Sequence, residues 1–193
     1  LYTRDQLVVT GLFEGELMHF IVNHWPSRSG GEARSSSRRE SAARLNRKIV
    51  DSLYQIDPYS KIIIMGDFND DPTNKSVKIV LGTKAVKEKT EIQELFNPME
   101  HMLKIGLGTL AYRDGWNLFD QIIVSQPFLK NNYSTYQFFK AGIFNPDYLL
   151  TPAGQFKGYP FRSEGIIFSI KKILNIIECN SSYKISFICL AIT

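Results

Sequence analysis

Lys61-Ile-Ile-Ile-Met-Gly-Asp-Phe-Asn-Asp-Asp71, followed by Pro72, decides how the rest of the chain is read. The run from Ile62 to Gly66 is short, β-branched and cut off by Gly and then Asp-Pro punctuation, which predicts a fully buried strand rather than a helix. At its C-terminal end the polarity flips within one residue. Residues two apart in extended chain point the same way, so Asp67 and Asn69 lean towards one cleft while Phe68 turns back into the core. A carboxylate and a carboxamide at a rigid strand end suit the handling of water. The Asp accepts a proton or fixes the water's orientation, and the Asn holds an oxygen without adding charge. The same residues also read as an Asx-rich turn, in which Asp and Asn merely satisfy backbone donors.

Upstream, Gln6–Thr10 and Glu16–His24 are expected strands joined by the short Phe13-Glu-Gly-Glu16 turn, a hairpin by spacing and Gly placement. The second is nearly continuously apolar, which predicts burial on both faces. Pro26 closes it, and 27–37 read as a Gly/Ser/Arg loop. Ala42, Leu45, Ile49, Leu53 and Ile56 then recur at three- and four-residue steps, predicting an amphipathic helix over 37–56. Ser36 or Ser37 is its expected N-cap, Glu40 would complete a capping box, and Asp57-Pro58 ends it.

Downstream, Thr73–Leu81 reads as a short helix and Gln93–Lys104 as another, kinked near Pro98. Thr109–Arg113 and Asn117–Ser125 are expected to form a hairpin about Arg113-Asp-Gly115, and Tyr136–Ile143 a further strand. After Phe161-Arg-Ser163 the texture shifts to Ile, Lys, Asn and Ser, with a terminal strand expected within Tyr183–Thr193.

A chain of 193 residues, 44% hydrophobic and 22% charged, is long enough for one domain with a real core. Net charge is +4, too little to declare a nucleic-acid binder. Its distribution says more: Arg28, Arg34, Arg38, Arg39, Arg44, Arg47 and Lys48 crowd one stretch against Glu32 and Glu40. That stretch can attract phosphate, or be a solvated helix face. Cys179 and Cys189 show no metal-ligand spacing, and a transmembrane-length apolar run is absent. Leu1 opens in the middle of something, without Met or a signal-type run, so a cut front edge is expected.

His24 ends a buried strand just before Trp25-Pro26, where a side chain can reach a cleft and protonate or hydrogen-bond a phosphoryl oxygen. A structural role is its alternative, and is the reading preferred for His19 and His101. Asp120 lies in the mostly apolar Trp116-Asn-Leu-Phe-Asp-Gln-Ile-Ile-Val-Ser125, where an unpaired charge costs several kcal/mol. It is either salt-bridged to an Arg or an orienting carboxylate behind a catalytic His.

Together, Asn23-His24-Trp25, Gly66-Asp-Phe-Asn69 with Pro72, and Leu118-Phe-Asp-Gln-Ile-Ile-Val-Ser125 resemble, in order and spacing, the C-terminal part of the endonuclease/exonuclease/phosphatase family. Gly66-Asp67-Phe68-Asn69 is the most specific block, and the likeness covers roughly 5–163. The resemblance implies an α/β fold: a partial four-layer sandwich of two mostly antiparallel mixed sheets flanked by helices. It implies hydrolysis of phosphoesters with Mg2+ or Mn2+, on substrates that across the family include nucleic acid, sphingomyelin-like headgroups, inositol phosphates and small phosphodiesters. Carried over by motif, Asp67 activates or orients water, Asn69 positions water or a phosphoryl oxygen, His24 hydrogen-bonds the phosphate, and Asp120 orients a second histidine. Asn23, Arg28 and Arg38 are the expected substrate contacts.

Two departures stand out. The family's first half carries an Asn and a metal-binding Glu that nothing before Leu1 supplies, and its closing Ser-Asp-His triplet does not occur here. The expectation is an incomplete or frame-shifted copy, with family sequence over 1–163, an unrelated tail over 164–193, and little or no activity. The competing reading is a non-catalytic phosphate- or nucleic-acid-binding module using Arg28, Arg34, Arg38 and Arg39. A third is an unfinished fold with unpaired sheet edges and wet apolar faces.

Overall fold

The structure is a computed structural model that describes residues 4–112, 115–130, 135–143, 147–159, 176–178 and 186–188. Its element order is β1 (Leu7–Phe13), β2 (Glu16–His24), α1 (Glu32–Ile56), β3 (Lys61–Asp67), a π-helical turn Ser76–Leu81, β4 (Thr83–Lys84), β5 (Leu95–Phe96), α2 (Met99–Lys104), β6 (Leu110–Tyr112), β7 (Gly115–Asn117), β8 (Asp120–Ser125), β9 (Ile176–Glu178) and β10 (Ser186–Ile188). The fold is mixed α/β. Among the described residues one six-stranded sheet, ordered β1-β2-β3-β8-β5-β4, dominates, with two-stranded pairs β6-β7 and β9-β10 beside it.

The expected hairpin opens the sheet: β1 runs antiparallel to β2, and the two residues that turn the chain, Glu14 and Gly15, both have positive φ. Such a turn matches the twist of the strands it joins. Because β3 lies parallel to β2, the chain must cross over between them, and α1 is that crossover. β3 sits at the centre, with β8 antiparallel on its other side.

The period-2 alternation explains why β3 is apolar throughout. Ile62 and Ile64 join Ile21, Ile123, Phe68 and the inner face of α1 in one core. Ile63 and Met65 face the opposite side, with Met18, Phe20, Ile122, Val124 and Phe138. A strand buried on both faces has no polar side to show. Each of the three isoleucines, at most 1% exposed, is worth about 1.5–3 kcal/mol of burial.

The structure corrects several local expectations. α1 begins at Glu32, not near Ser37; its N-cap is Gly31 and no side chain caps it, so the Ser37/Glu40 capping box does not form. Instead the serines bond back along the helix, Ser35 Oγ to the Gly31 carbonyl and Ser41 Oγ to that of Ser37. The buried face is also rotated from the expected one. It carries Ser35, Arg39, Ala42, Ala43, Asn46, Val50 and Tyr54, whereas Leu45 and Ile56 are exposed. Arg39 and Asn46 can sit inside because each meets a buried polar partner, Asp70 and Asn23 respectively.

Further along, Thr73–Leu81 reduces to the π-helical turn, and Gln93–Lys104 splits into β5 and α2 on either side of Asn97-Pro98. β6 pairs with β7, while β8 leaves for the centre of the main sheet; of the expected turn, residues 113–114 lie outside the described residues. Tyr136–Ile143 is not a strand. Its start is pinned to the sheet from outside the ladder: Lys61 Nζ donates to the Tyr136 carbonyl, the Tyr136 N–H to Glu16 Oε1, and the Phe138 N–H to the Phe128 carbonyl. Within the expected terminal strand, Ser186–Ile188 pairs antiparallel with Ile176–Glu178. Cys179, Cys189, Phe161-Arg-Ser163 and the rest of that strand lie outside the described residues. Among the described residues no helix is long and apolar enough to cross a membrane.

Candidate active site

The sheet's pairing brings the candidate residues into one row. His24 is the register partner of Asp67 across β2 and β3, and Asp67 is the partner of Asp120 across β3 and β8. Register partners project from the same face. By alternation that face is the one bearing Phe20, Met65 and Ile122, opposite α1. His24 Nε2 lies 3.7 Å from Asp67 Oδ2; the histidine side chain is half exposed, the carboxylate buried. Asp120 is 3% exposed.

One step below runs a second row, Asn23–Gly66–Gln121, on the α1 side. It is built of amides and is saturated. Asn23 Oδ1 accepts from Trp25 Nε1 at 3.0 Å and from Asn46 Nδ2 at 2.8 Å. Gln121 Nε2 donates to the Asp70 carbonyl at 2.7 Å, and its Oε1 accepts from Asn97 Nδ2 at 2.8 Å. Asn23, a sequence candidate for substrate contact, thus has its side chain spent inside the protein, where it holds the end of β2. Between them Gly66 sits at φ 130, and a Cβ there would fall 2.0 Å from the Asn23 carbonyl oxygen.

Asn69 does not continue the strand. Its φ is 50, a left-handed conformation that Asn tolerates. Its N–H donates to Asp67 Oδ1 at 2.9 Å, so the Asx turn does form. The turn consumes one carboxylate oxygen of Asp67, and Oδ2 is the one beside His24. The Asn69 carboxamide is oriented as well, because Nδ2 donates to the Trp25 carbonyl at 2.9 Å. Phe68 is buried against Trp25, ring centroids 4.6 Å apart.

Beneath this turn lies a charge network that the sequence did not announce. Asp70, 2% exposed, accepts hydrogen bonds from Arg28 Nη2 at 3.1 Å and from the Ser76 hydroxyl, and forms an ion pair with Arg39, whose Nε lies 2.7 Å away. Arg39 is itself fully buried and also meets Glu32. Arg28 Nε donates to the Asn69 carbonyl, and the guanidinium lies over Phe119, 4.5 Å from the ring centroid. Asp71 accepts the Leu118 N–H; burial pushes its carboxyl up, while that hydrogen bond and Arg28 pull the other way. Arg28 and Arg39 are therefore committed to holding the 69–71 turn. Arg38, by contrast, is exposed on α1. The signal for Arg39 and Asn46 was their place in the 3–4 spacing with Ala42, Ala43, Val50 and Tyr54.

Carboxylate and carboxamide oxygens are hard donors, and magnesium takes one or two protein carboxylates and completes its shell with water and substrate oxygens. Asp67 and Asp120, adjacent in the row, fit that demand in kind. Among the described residues no group of three or more His, Cys, Asp or Glu converges as a self-contained cation cage.

Sphingomyelinase C from Streptomyces griseocarneus is a similar solved structure, at 15% identity and a TM-score of 0.40 over 62% of this chain. This chain spans 41% of that protein's length. A search of curated proteins gives no match. The model of the Endonuclease/Exonuclease/phosphatase family matches residues 1–168, which take in every strand and helix around the row. On that match, the chain belongs to the endonuclease/exonuclease/phosphatase family.

Proposed function

We propose that this chain carries the water-handling part of a divalent-metal-dependent phosphoester hydrolase, of nuclease or phosphodiesterase type. The observation that supports it is the in-register row His24–Asp67–Asp120 backed by the saturated amide row. Asp67 Oδ2, the oxygen not engaged by the Asn69 N–H, orients the attacking water or takes its proton. Asn69 offers its carboxamide oxygen to that water. His24, half exposed and steadied by Asp67, hydrogen-bonds a non-bridging phosphoryl oxygen as negative charge grows on it. Asp120 is the supporting carboxylate of the row. Arg28 holds the Asn69 turn, and Arg38 is the cation left to meet the substrate. A magnesium or manganese ion, for which Asp67 and Asp120 would be the donors, supplies charge neutralisation at phosphorus when bound.

The activity is proposed for the whole catalytic unit. Residues 1–193 alone are expected to turn over slowly, because the closing Ser-Asp-His triplet that the family resemblance calls for does not occur in this sequence. The test is hydrolysis of a chromogenic phosphodiester by the purified protein, with magnesium and with chelator. A slow, magnesium-dependent rate that drops by about 10²-fold or more in His24→Ala and Asp67→Asn supports the reading. A rate indifferent to both substitutions would remove it, and robust turnover by 1–193 would remove the expectation of slowness.

A further inference from the structure

Apart from Arg47, which pairs with Asp51 one turn along the helix, the cations of the Arg28–Lys48 stretch divide into two groups. Arg28 and Arg39 turn inward onto Asp70 and Glu32. Arg34, Arg38, Arg44 and Lys48 are exposed on α1. At 3.6 residues per turn these four fall within an arc of about 120° and extend along about 21 Å of helix axis. Arg44 has a long contact of 3.7 Å to Glu40; among the described residues Arg34, Arg38 and Lys48 form no ion pair at 4 Å or less.

This arrangement works against the helix that carries it. Arg34 with Arg38, and Arg44 with Lys48, are like-charge pairs four residues apart, each of which destabilises a helix. Arg34 also lies in the first turn, where the positive end of the macrodipole disfavours a cation. Beside the second pair a cavity of about 310 Å³ opens between α1 and Val80. Arg44, Arg47, Lys48, Ser52 and Gln55 line it with hydrogen-bond donors, and its one carboxylate, Asp51, is held by Arg47 Nε at 2.9 Å. A row of repelling cations leading to a donor-lined pocket is relieved by a ligand with regularly spaced negative charges.

We propose that the outer face of α1, from Arg34 to the pocket at Lys48, is a docking track for the phosphodiester backbone of a single nucleic-acid strand, separate from the His24–Asp67–Asp120 row. α1 starts eight residues after His24, so the Arg34 end of the track lies nearest the strand-end site and the pocket farthest from it. A strand held there is gripped at a distance from the row. The track deepens the hydrolase reading by naming a polymeric substrate, and its binding is measurable whether or not the protein hydrolyses anything.

The experiment follows binding of a fluorescein-labelled single-stranded oligodeoxynucleotide to the 1–193 protein by anisotropy, across a salt series and with chelator present. Each single-strand phosphate contact contributes about 0.7 to the slope of log K against log salt. The double variant Arg38→Ala/Lys48→Ala is expected to lower that slope by about 1.4. The charge-matched control Lys89→Ala/Lys157→Ala, on exposed lysines away from α1, is expected to leave it unchanged. Circular dichroism melts establish that both variants fold. Equal losses in the two variants would reduce the effect to net charge and overturn the proposal. Absence of oligonucleotide binding would also overturn it, as would binding to phosphatidylserine vesicles in its place. Loss of hydrolysis in Asp67→Asn with the salt slope intact would leave the track standing, so the two readings fail separately.

Discussion

Arg39 spans the interior from α1 to Asp70, both side chains almost wholly buried and 2.7 Å apart. The pair ties the crossover helix to the turn that presents Asn69, with Arg28 closing the other side. Removing one partner of a buried ion pair leaves an uncompensated charge and costs about 3–5 kcal/mol. Arg39→Met is therefore expected to lower unfolding stability by that amount in urea titrations. Arg39→Met with Asp70→Leu should recover part of the loss, since the stranded carboxylate is then gone.

Asn69 combines a strained backbone with a chemical group, and two substitutions separate them. Asn69→Gly keeps the positive φ at no steric cost and deletes the carboxamide; its expected stability loss is about 1 kcal/mol, the Trp25 hydrogen bond. Asn69→Val adds a further 1–3 kcal/mol of roughly estimated strain, because a β-branched residue resists that φ. Thermal melts of the two variants give the difference. Any phosphodiesterase activity should fall in both, and if it survives in Asn69→Gly the carboxamide has no chemical part.

Glu100 sets an acid limb. Its burial favours the neutral form, but Lys104 and Lys78 outweigh this and hold the carboxyl below its ordinary 4.5. The folded state thus binds that proton less readily than the unfolded one. Its contribution to stability is present above the ordinary value and is lost as pH falls through the lowered one. Asp71 has the opposite sign: its carboxyl is raised by burial, so its penalty appears as pH rises. In urea midpoints measured through the acid range, Glu100→Gln should flatten the decline and Asp71→Asn should widen the gain towards neutral pH, since the penalty of ionising a buried carboxyl is then gone.

Gly66→Ala meets both a forbidden φ and a backbone oxygen 2.0 Å from the new methyl. The expected cost is about 3 kcal/mol or more. Amide exchange should speed up at Asn23–His24 and Asp67 together, since the clash pries β2 from β3 at that level.

The parts of this molecule legible in its sequence were those governed by neighbours in the chain. The Glu14-Gly15 hairpin, the two-sided burial of Ile62–Ile64 and the end of α1 at Asp57 follow from local pattern, and structure agrees with them. The inner face of α1 was misread because Arg39 and Asn46 look like surface residues until Asp70 and Asn23 are brought to them across 31 and 23 positions. Tyr136–Phe138 alternates like a strand, yet its polar backbone atoms are met by Lys61, Glu16 and Phe128, so no ladder is needed. For the site, motif and strand polarity named His24, Asp67 and Asp120, while only the register reveals that they share a row. The support given by Asp70 and Gln121 was hidden for the same reason as that given by Arg39.

The tight seam between Gly66 and the Asn23 carbonyl also offers a yardstick beyond this molecule. A newly sequenced chain with the same aspartate and asparagine but a side chain in place of that glycine cannot bring its histidine-bearing strand equally close, whatever its overall likeness. One codon, read in the gene, therefore sorts true copies of this architecture from look-alikes.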